Sequence, residues 1–377
     1  MICLWLICTS FAVIGSAYWA LAAAQLRRFF AKPAAEPASI AASVTLLKPL
    51  CGAEPGLEAN LKSFCDQDYS GPLQILLAVQ DAADPAVAIA ERVKAAHPNR
   101  DIRIVADSRL HGANRKISNV MNAADYARGD IVVLSDSDMR VSPDYLRRIT
   151  AALAGQDVGV VTCLYRGLPV AGLWSRLAAA EIDYRFLPSI LVGLRLKLAT
   201  PCFGSTIALK AETLAQIGGF GAFADQLADD YAIGAAVRGL GLKAAIPAFV
   251  IDHVCPEASL RELLRRELRW ARTIRLIDPI GHLGSIVTHP LPFALAAAAV
   301  PGFAGTSLWV LGLTLACGLL VPLQFARSFA GGRVPIWLAP VRDLLSFAVF
   351  VASFLPRPVS WRGRRYKIER DGTLTPA

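Results

Sequence analysis

The hydrophobic positions of this chain are arranged in three ways. Over residues 1–24 they run on with no charged residue among them. Between residues 39 and 280 they come as short runs, set apart by polar turns and by stretches with helical spacing. From Ser285 onward they lengthen again. In the middle region, the apolar runs Leu73–Val79 and Ile131–Leu134 predict short buried strands, the β-rich run Val44–Pro49 predicts another, and residues 102–105, 158–162 and 203–209 read as further strands. Helices are predicted over residues 57–64, where Leu57, Leu61 and Phe64 share a face, and over Pro85–Ala96, 117–127, 232–238 and 260–275. Strands alternating with helices of this length predict an α/β domain on a doubly wound, mostly parallel sheet. Residues 173–198 are apolar with Arg176, Glu181, Asp183, Arg185, Arg195 and Lys197 interspersed. They fit a helix at a bilayer interface and, equally, an amphipathic core helix.

The outer regions predict a membrane protein. The chain is 54% hydrophobic with a mean hydropathy of +0.44, too apolar for an ordinary soluble enzyme, and the excess lies at its two ends. Residues 1–26 suffice for one crossing at ~20 residues per span. Ala20-Leu-Ala22 resembles a cleavage site, so a signal peptide is the alternative; but signal peptides carry positive charge before the apolar core, and here Arg27, Arg28 and Lys32 follow it. The expectation is an uncleaved anchor, amino end outside, then a linker over 32–38 and a cytosolic α/β domain over 39–280. Residues 284–356 hold three further apolar segments, 285–300, 303–326 and 336–355. Two crossings before Arg327 put Arg327 and Arg333 in the cytosol, together with the basic tail 357–377 and its Arg362, Arg364, Arg365 and Lys367. Pro340, Arg342 and Asp343 make the last segment re-entrant or interfacial. The net charge of +9 gathers near these segments and reads as a membrane-surface signal; no nucleic-acid motif is present. Eight cysteines without a C-x-x-C pair indicate neither a zinc site nor a disulfide framework.

Candidate chemistry clusters after the predicted strands. Ile131–Leu134 is followed at once by Ser135-Asp-Ser-Asp138. Ligands of open α/β sheets bind at the carboxyl ends of strands, and two carboxylates one residue apart suit a hard divalent cation and a diphosphate. A solvated turn with a capping aspartate is the plainer alternative. Asp81 also follows a strand and is placed for a base or ribose, or else is a turn residue. Lys116, near a helix start, is placed to meet a diphosphate; otherwise it is an ordinary exposed lysine. His111 receives no role. Asp229 and Asp230 open a helix, where the helix dipole alone would favour them; a general base taking a proton from an attacking hydroxyl is the functional reading. Arg266 and Arg269 share a helix face beside Trp270. They suit a clamp on a pyrophosphate or an acceptor lipid, and equally a basic helix lying on anionic lipid.

These residues carry a resemblance. Asp81, Asp136-Ser-Asp138, Asp229-Asp230-Tyr231 and Arg266-x-x-Arg269-Trp270 stand in the order and spacing typical of family 2-like glycosyltransferases with the GT-A fold. Lys48-Pro-Leu50, Val79-Gln-Asp-Ala-Ala-Asp-Pro85, Ala228-Asp-Asp-Tyr231 and Ser360-Trp-Arg-Gly-Arg-Arg-Tyr366 resemble ceramide glucosyltransferases and their bacterial relatives, family 21. His111-Gly-Ala-Asn-Arg-Lys116 and Cys163-Leu-Tyr-Arg-Gly167 resemble the hopanoid-associated branch. Some ceramide-directed members lack the second aspartate of the Asp-x-Asp, which is present here as Asp138. The resemblance implies a membrane-bound, inverting transfer of glucose or N-acetylglucosamine from a UDP-sugar to a lipid hydroxyl, on ceramide or bacteriohopanetetrol. It implies that Asp81 and Asp136 hold the UDP moiety, with Lys116 on the diphosphate. Asp138, with Asp136, would coordinate Mg²⁺ or Mn²⁺. Asp230 would be the base, with Asp229 the second candidate, and Arg266, Arg269 and Trp270 would close over donor and acceptor. A processive polysaccharide synthase would share these motifs but brings more spans. A non-catalytic nucleotide-sugar-binding protein would not need the base and the clamp. A transporter would not carry so large a span-free middle region.

Overall fold

The computed structural model describes residues 1–31, 42–329 and 334–355, and the backbone of three tail strands, Val359–Trp361, Arg364–Ile368 and Leu374–Pro376. The expected linker, Arg333 and the basic side chains of the tail lie outside the described residues.

The middle of the chain is a mixed α/β unit. Its strands are β1 (Val44–Pro49), β2 (Leu73–Val79), β3 (Asp101–Ala106), β4 (Ile131–Leu134), β5 (Met139–Arg140), β6 (Val158–Val161), β7 (Leu164–Pro169), β8 (Ile207–Lys210), β9 (Lys243–Ala245) and β10 (Val250–Cys255). Seven form one sheet in the order β3-β2-β1-β4-β8-β6-β9. β1 to β4 are parallel, β8 is antiparallel to both β4 and β6, and β6 pairs parallel with β9. A smaller sheet, β5-β10-β7, pairs β10 parallel with β7 and antiparallel with β5.

Alternation along the strands splits the core in two. Leu46, Ile75, Leu77 and Val133 face one layer with Phe64 and Tyr145. Leu47, Leu76, Val132 and Leu134 face the other with Ile117, Val120 and Val237. Both faces are covered, which is why the sequence shows continuous apolar runs. Helix starts are capped from the sequence: Asp84 accepts from Ala86 N, Asn114 from Ile117 N and Ser259 from Glu262 N.

Some expected elements differ. Only Ile207–Lys210 of the run 203–209 is strand; Phe203 to Thr206 close a tight turn, Thr206 N donating to Phe203 O at 3.1 Å. Residues 173–198 are not one helix but Leu173–Glu181, a π-helical turn Ile182–Phe186, and Leu187–Arg195.

Two helices, Ile2–Phe30 and Ala304–Ser328, are long and apolar enough to cross a membrane. They run parallel: Trp5 stacks on Phe303 and donates to Ser307, Ser16 lies 3.2 Å from Thr314, and Phe30 meets Phe329. The crossing expected over 285–300 is instead a short 3₁₀ turn, Ser285–Thr288, and the nine-residue helix Pro290–Ala298. Nine residues reach only about 14 Å. That suffices because the segment starts beside Gly15, halfway along Ile2–Phe30: a Cβ there would meet Val287 O and Pro290. The first half of the distance is taken by the α/β unit itself, Tyr18 donating to Ser189 at 2.8 Å. The last helix, Leu338–Ser353, packs on the α/β unit with Arg342 and Asp343 buried.

Candidate active site

The carboxyl ends of β1, β2 and β4 lie together at one edge of the main sheet. Because β8 alone runs the other way, its entrance turn, Phe203 to Thr206, falls at that same edge. Asp136 N donates to Gly204 O at 3.1 Å, joining the turn to the end of β4. A Cβ at Gly204 would stand 2.5 Å from Asp136 Oδ2 and 3.3 Å from Lys116 Nζ, so only glycine leaves room for both side chains. On the other side, Gly204 N donates to Asp230 Oδ2 at 3.0 Å. One glycine therefore separates the first carboxylate of the Asp-x-Asp from the carboxylate expected to be the base.

Lys116 sits in the first turn of Arg115–Ala124, capped by Asn114. Its Nζ lies 2.9 Å from both Asp136 Oδ1 and Asp229 Oδ2. Burial works against its charge, but Asp136, Asp229 and Asp230 outweigh it and hold the ammonium well above the ordinary lysine range. Asp229 is buried, bound to Lys116 and to Asn114 Nδ2 at 3.3 Å. Both its oxygens are thereby engaged, Oδ1 by Asn114 and Oδ2 by Lys116. Asp230 accepts from Gly204 N and Tyr231 N; burial first, then Asp229, push it up to about 6. The Asp230 carboxyl thus stands above the usual carboxylate range, closer to neutral pH.

Asp138 has one buried oxygen, Oδ1, without a partner, while Oδ2 lies 3.3 Å from His253 Nε2. Burial and Asp136 push Asp138 up to about 6. His253 is buried on β10, and burial with the Arg266 charge pushes it down to about 4, so it stands as neutral imidazole. An unpartnered carboxylate oxygen beside a second carboxylate fits a hard divalent cation. Among the described residues no three His, Cys, Asp or Glu groups form a closed metal cage. Remaining ligand positions would fall to diphosphate and water, as Mg²⁺ and Mn²⁺ accept.

Asp81 is exposed just past β2, its Oδ1 accepting from Ala83 N at 2.9 Å. With β1 between β2 and β4, it stands about 10 Å from the β4 end by strand spacing, the reach of a nucleoside. The neighbouring Gln80 accepts from Arg115 Nε at 2.9 Å. His111 bonds Asn122 Oδ1 at 2.7 Å.

Leu260–Ile277 brings the basic helix to the same site. Arg266 Nη1 lies 2.5 Å from Glu257, and its guanidinium is 4.9 Å from the Trp270 ring. Trp270 meets His253 edge-on at 6.0 Å. Arg269 is half-buried on the same helix. The plainer reading of Arg266 as a lipid-facing charge does not hold, since its side chain is only 12% exposed.

Sequence reasoning missed His253 and Gly204, and gave no role to Lys48 and Tyr165, which it met only within motifs; Tyr165 lies 5.4 Å from His253. Lys48 is fully buried at the end of β1, donating to Ser135 Oγ and Asp136 O and lying 3.7 Å over the Phe64 ring. Burial pushes it down to about 7, against the pull of Asp136, Asp138 and Glu54. The available signal was a single lysine in an otherwise apolar strand. His253 lies on a strand the apolar pattern did not reveal.

The chain was compared with known proteins. The family model for Glycosyl transferase family 21 matches residues 7–374. Ceramide glucosyltransferase 1 of Caenorhabditis elegans is 25% identical over 354 residues, 90% of this chain and 74% of the relative. Ceramide glucosyltransferase 3 of the same organism is 24% identical over 356 residues, 88% and 74%. Among solved structures, the mannosyltransferase from Pyrobaculum calidifontis in complex with GDP-Man and Mn²⁺ superposes with a TM-score of 0.52 at 23% identity, covering 93% of this chain and 97% of that one. The last likeness concerns the fold.

Proposed function

Because this chain belongs to glycosyl transferase family 21, we propose that it moves glucose or N-acetylglucosamine from a UDP-sugar to the hydroxyl of a membrane lipid, ceramide or a hopanoid polyol such as bacteriohopanetetrol, with inversion at the anomeric carbon. That it is a glycosyltransferase follows from the family; donor, acceptor and residue roles are the proposal. The observation that carries it is the pairing of Asp136 and Asp230 across Gly204. A donor diphosphate held on one side of this glycine and an acceptor hydroxyl on the other would be in line for a single displacement.

In this reading Asp81 meets the nucleoside and Asp136 the UDP moiety, while Lys116, held between Asp136 and Asp229, turns its ammonium to the diphosphate. Asp136 and Asp138 would hold the divalent cation, with His253 beside them. When bound, the cation offsets charge on the departing diphosphate. Asp230 takes the proton from the acceptor hydroxyl as its oxygen bonds the anomeric carbon and the bond to UDP breaks. Arg266, Arg269 and Trp270 line the side where the sugar enters. A cytosolic α/β unit is supported by Arg27, Arg28 and Arg327 in the last turns of two parallel apolar helices, on the side where basic residues gather.

The test uses membranes containing the protein, labelled UDP-glucose or UDP-N-acetylglucosamine, and ceramide or bacteriohopanetetrol, with and without EDTA. A labelled lipid abolished by EDTA supports the reading and names the acceptor. Label in a water-soluble polymer would favour a polysaccharide synthase. Bound UDP with no product from any acceptor would favour a binding protein.

A further inference from the structure

Arg342 and Asp343 are adjacent near the start of Leu338–Ser353, a helix otherwise rich in apolar residues. Charges in such a segment are costly unless the surroundings hold them, so their partners indicate what the segment is for. Arg342 donates from Nη1 to Glu267 Oε1 and from Nη2 to Glu267 Oε2, both at 2.8 Å. The two side chains are 1% and 4% exposed. Arg342 Nε also lies 3.0 Å from Glu181. Asp343 accepts from Arg185 Nη1 at 2.7 Å and from Leu291 N at 3.0 Å.

Both partners lead to the candidate active site. Glu267 directly follows Arg266 on the helix that carries Arg269 and Trp270. Arg185 directly precedes Phe186, in the π-helical turn, a geometry that recurs at functional positions. Phe186 stacks on Tyr165 at 4.8 Å, and Tyr165 lies 5.4 Å from His253, the neighbour of Asp138. One end of a single helix thus holds the two walls of the site.

We propose that Arg342 is a positioning residue for sugar transfer. Through Glu267 it fixes where the Arg266, Arg269 and Trp270 face stands relative to Asp138 and Asp230. A bidentate guanidinium–carboxylate pair sets orientation as well as distance, which an apolar contact does not. The proposal rests on the role given to that face under the proposed function.

Removing Arg342 or Glu267 singly would leave a buried charge alone, whereas replacing both by apolar residues of similar size leaves, of the charged groups, only Glu181 short of a contact, and it keeps Ser346 Oγ at 2.6 Å and Arg185 at 3.6 Å. The test therefore uses R342M/E267M in the full chain, in membranes and in detergent, reading Tm, UDP affinity, and kcat and donor KM for transfer. The expected result is a Tm within a few degrees of wild type, UDP affinity within about twofold, and kcat lowered about tenfold or more. A wild-type kcat overturns the proposal. So does a kcat loss matched by lost UDP affinity and lost Tm, which would make the pair a plain structural contact. Should R342M/E267M fail to fold, R342K gives the same reading: an ammonium keeps the charge but cannot make two parallel bonds, so kcat falls at a preserved Tm, and an unchanged kcat overturns the proposal. W270A separates the underlying reading. Unaffected transfer there refutes the clamp itself; lost transfer there, with wild-type R342M/E267M, refutes only the part given to Arg342.

Discussion

Asp230 is pushed up to about 6 by burial and by Asp229. Its protonated form cannot accept a proton, so transfer should fall as the pH drops through that value. With a pKa of about 6, roughly 90% of the carboxyl is ionised at pH 7 and roughly 10% at pH 5, a loss of about tenfold in kcat across two pH units. Asp138 is also pushed up to about 6, and would contribute its own acid limb by losing the cation. Saturating Mn²⁺ competes with that proton and removes its share. The assay is labelled-lipid formation in membranes from pH 5 to 8 at saturating Mn²⁺, on wild type and Asp230→Asn. The substitution should lower kcat by about 10² or more, the usual contribution of a positioned base, or about 2.7 kcal/mol of barrier. The residual activity should also lose its acid limb. A profile flat from pH 7 to 5 would refute the assignment. So would Asp230→Asn turning over within threefold of wild type while still binding UDP.

Gly204→Ala should cost transfer at least tenfold, since its Cβ would press on Asp136 Oδ2 at 2.5 Å; a wild-type rate would mean that the turn yields. Lys48→Met leaves Ser135 Oγ and Asp136 O without their donor. A buried unpaired polar group costs about 1–3 kcal/mol, so Tm should drop by about 2 °C or more for a unit of this size, and an unmoved Tm would show that the strand end does not need the ammonium. EDTA should stop transfer and Mn²⁺ restore it, with Asp138→Asn needing more Mn²⁺ for half-maximal rate; indifference to EDTA would remove the metal from the scheme.

Much of the α/β unit was legible because its central strands are buried on both faces, so β2 and β4 read as nearly uninterrupted apolar runs. Leu73–Val79 and Ile131–Leu134 begin and end where the pattern places them. The runs that failed did so for local reasons. Residues 203–206, Phe-Gly-Ser-Thr, lead straight into the strand Ile207–Lys210 but turn over Gly204, which stands between Asp136 and Asp230. β10 carries Asp252 and His253 inside a short strand, Asp252 paired with Arg166 and His253 beside Asp138, so the apolar period of the sheet is broken there. The candidate site residues were legible as types at strand ends and helix starts. Their partners were not, because the pairing of Lys116 with Asp136 and Asp229 spans more than a hundred residues of sequence in one direction.

The membrane segments show the same limit from the opposite side. Hydropathy counts residues against a full bilayer, and on that measure 285–300 asks to cross. The parallel packing of Ile2–Phe30 with Ala304–Ser328 requires the chain to return between them, so a return path must exist. It is short because the α/β unit is sunk along the carboxyl half of Ile2–Phe30, with Tyr18 on Ser189 and Arg185 5.4 Å from the Trp19 ring. A unit seated at that depth has its π-helical turn and the Arg342–Asp343 pair level with the apolar helices instead of above them. On the proposed function, a lipid hydroxyl would then meet Asp230 without the lipid leaving its leaflet, and the burial that raises Asp230 toward neutrality and the burial that accommodates an apolar acceptor would have one structural origin.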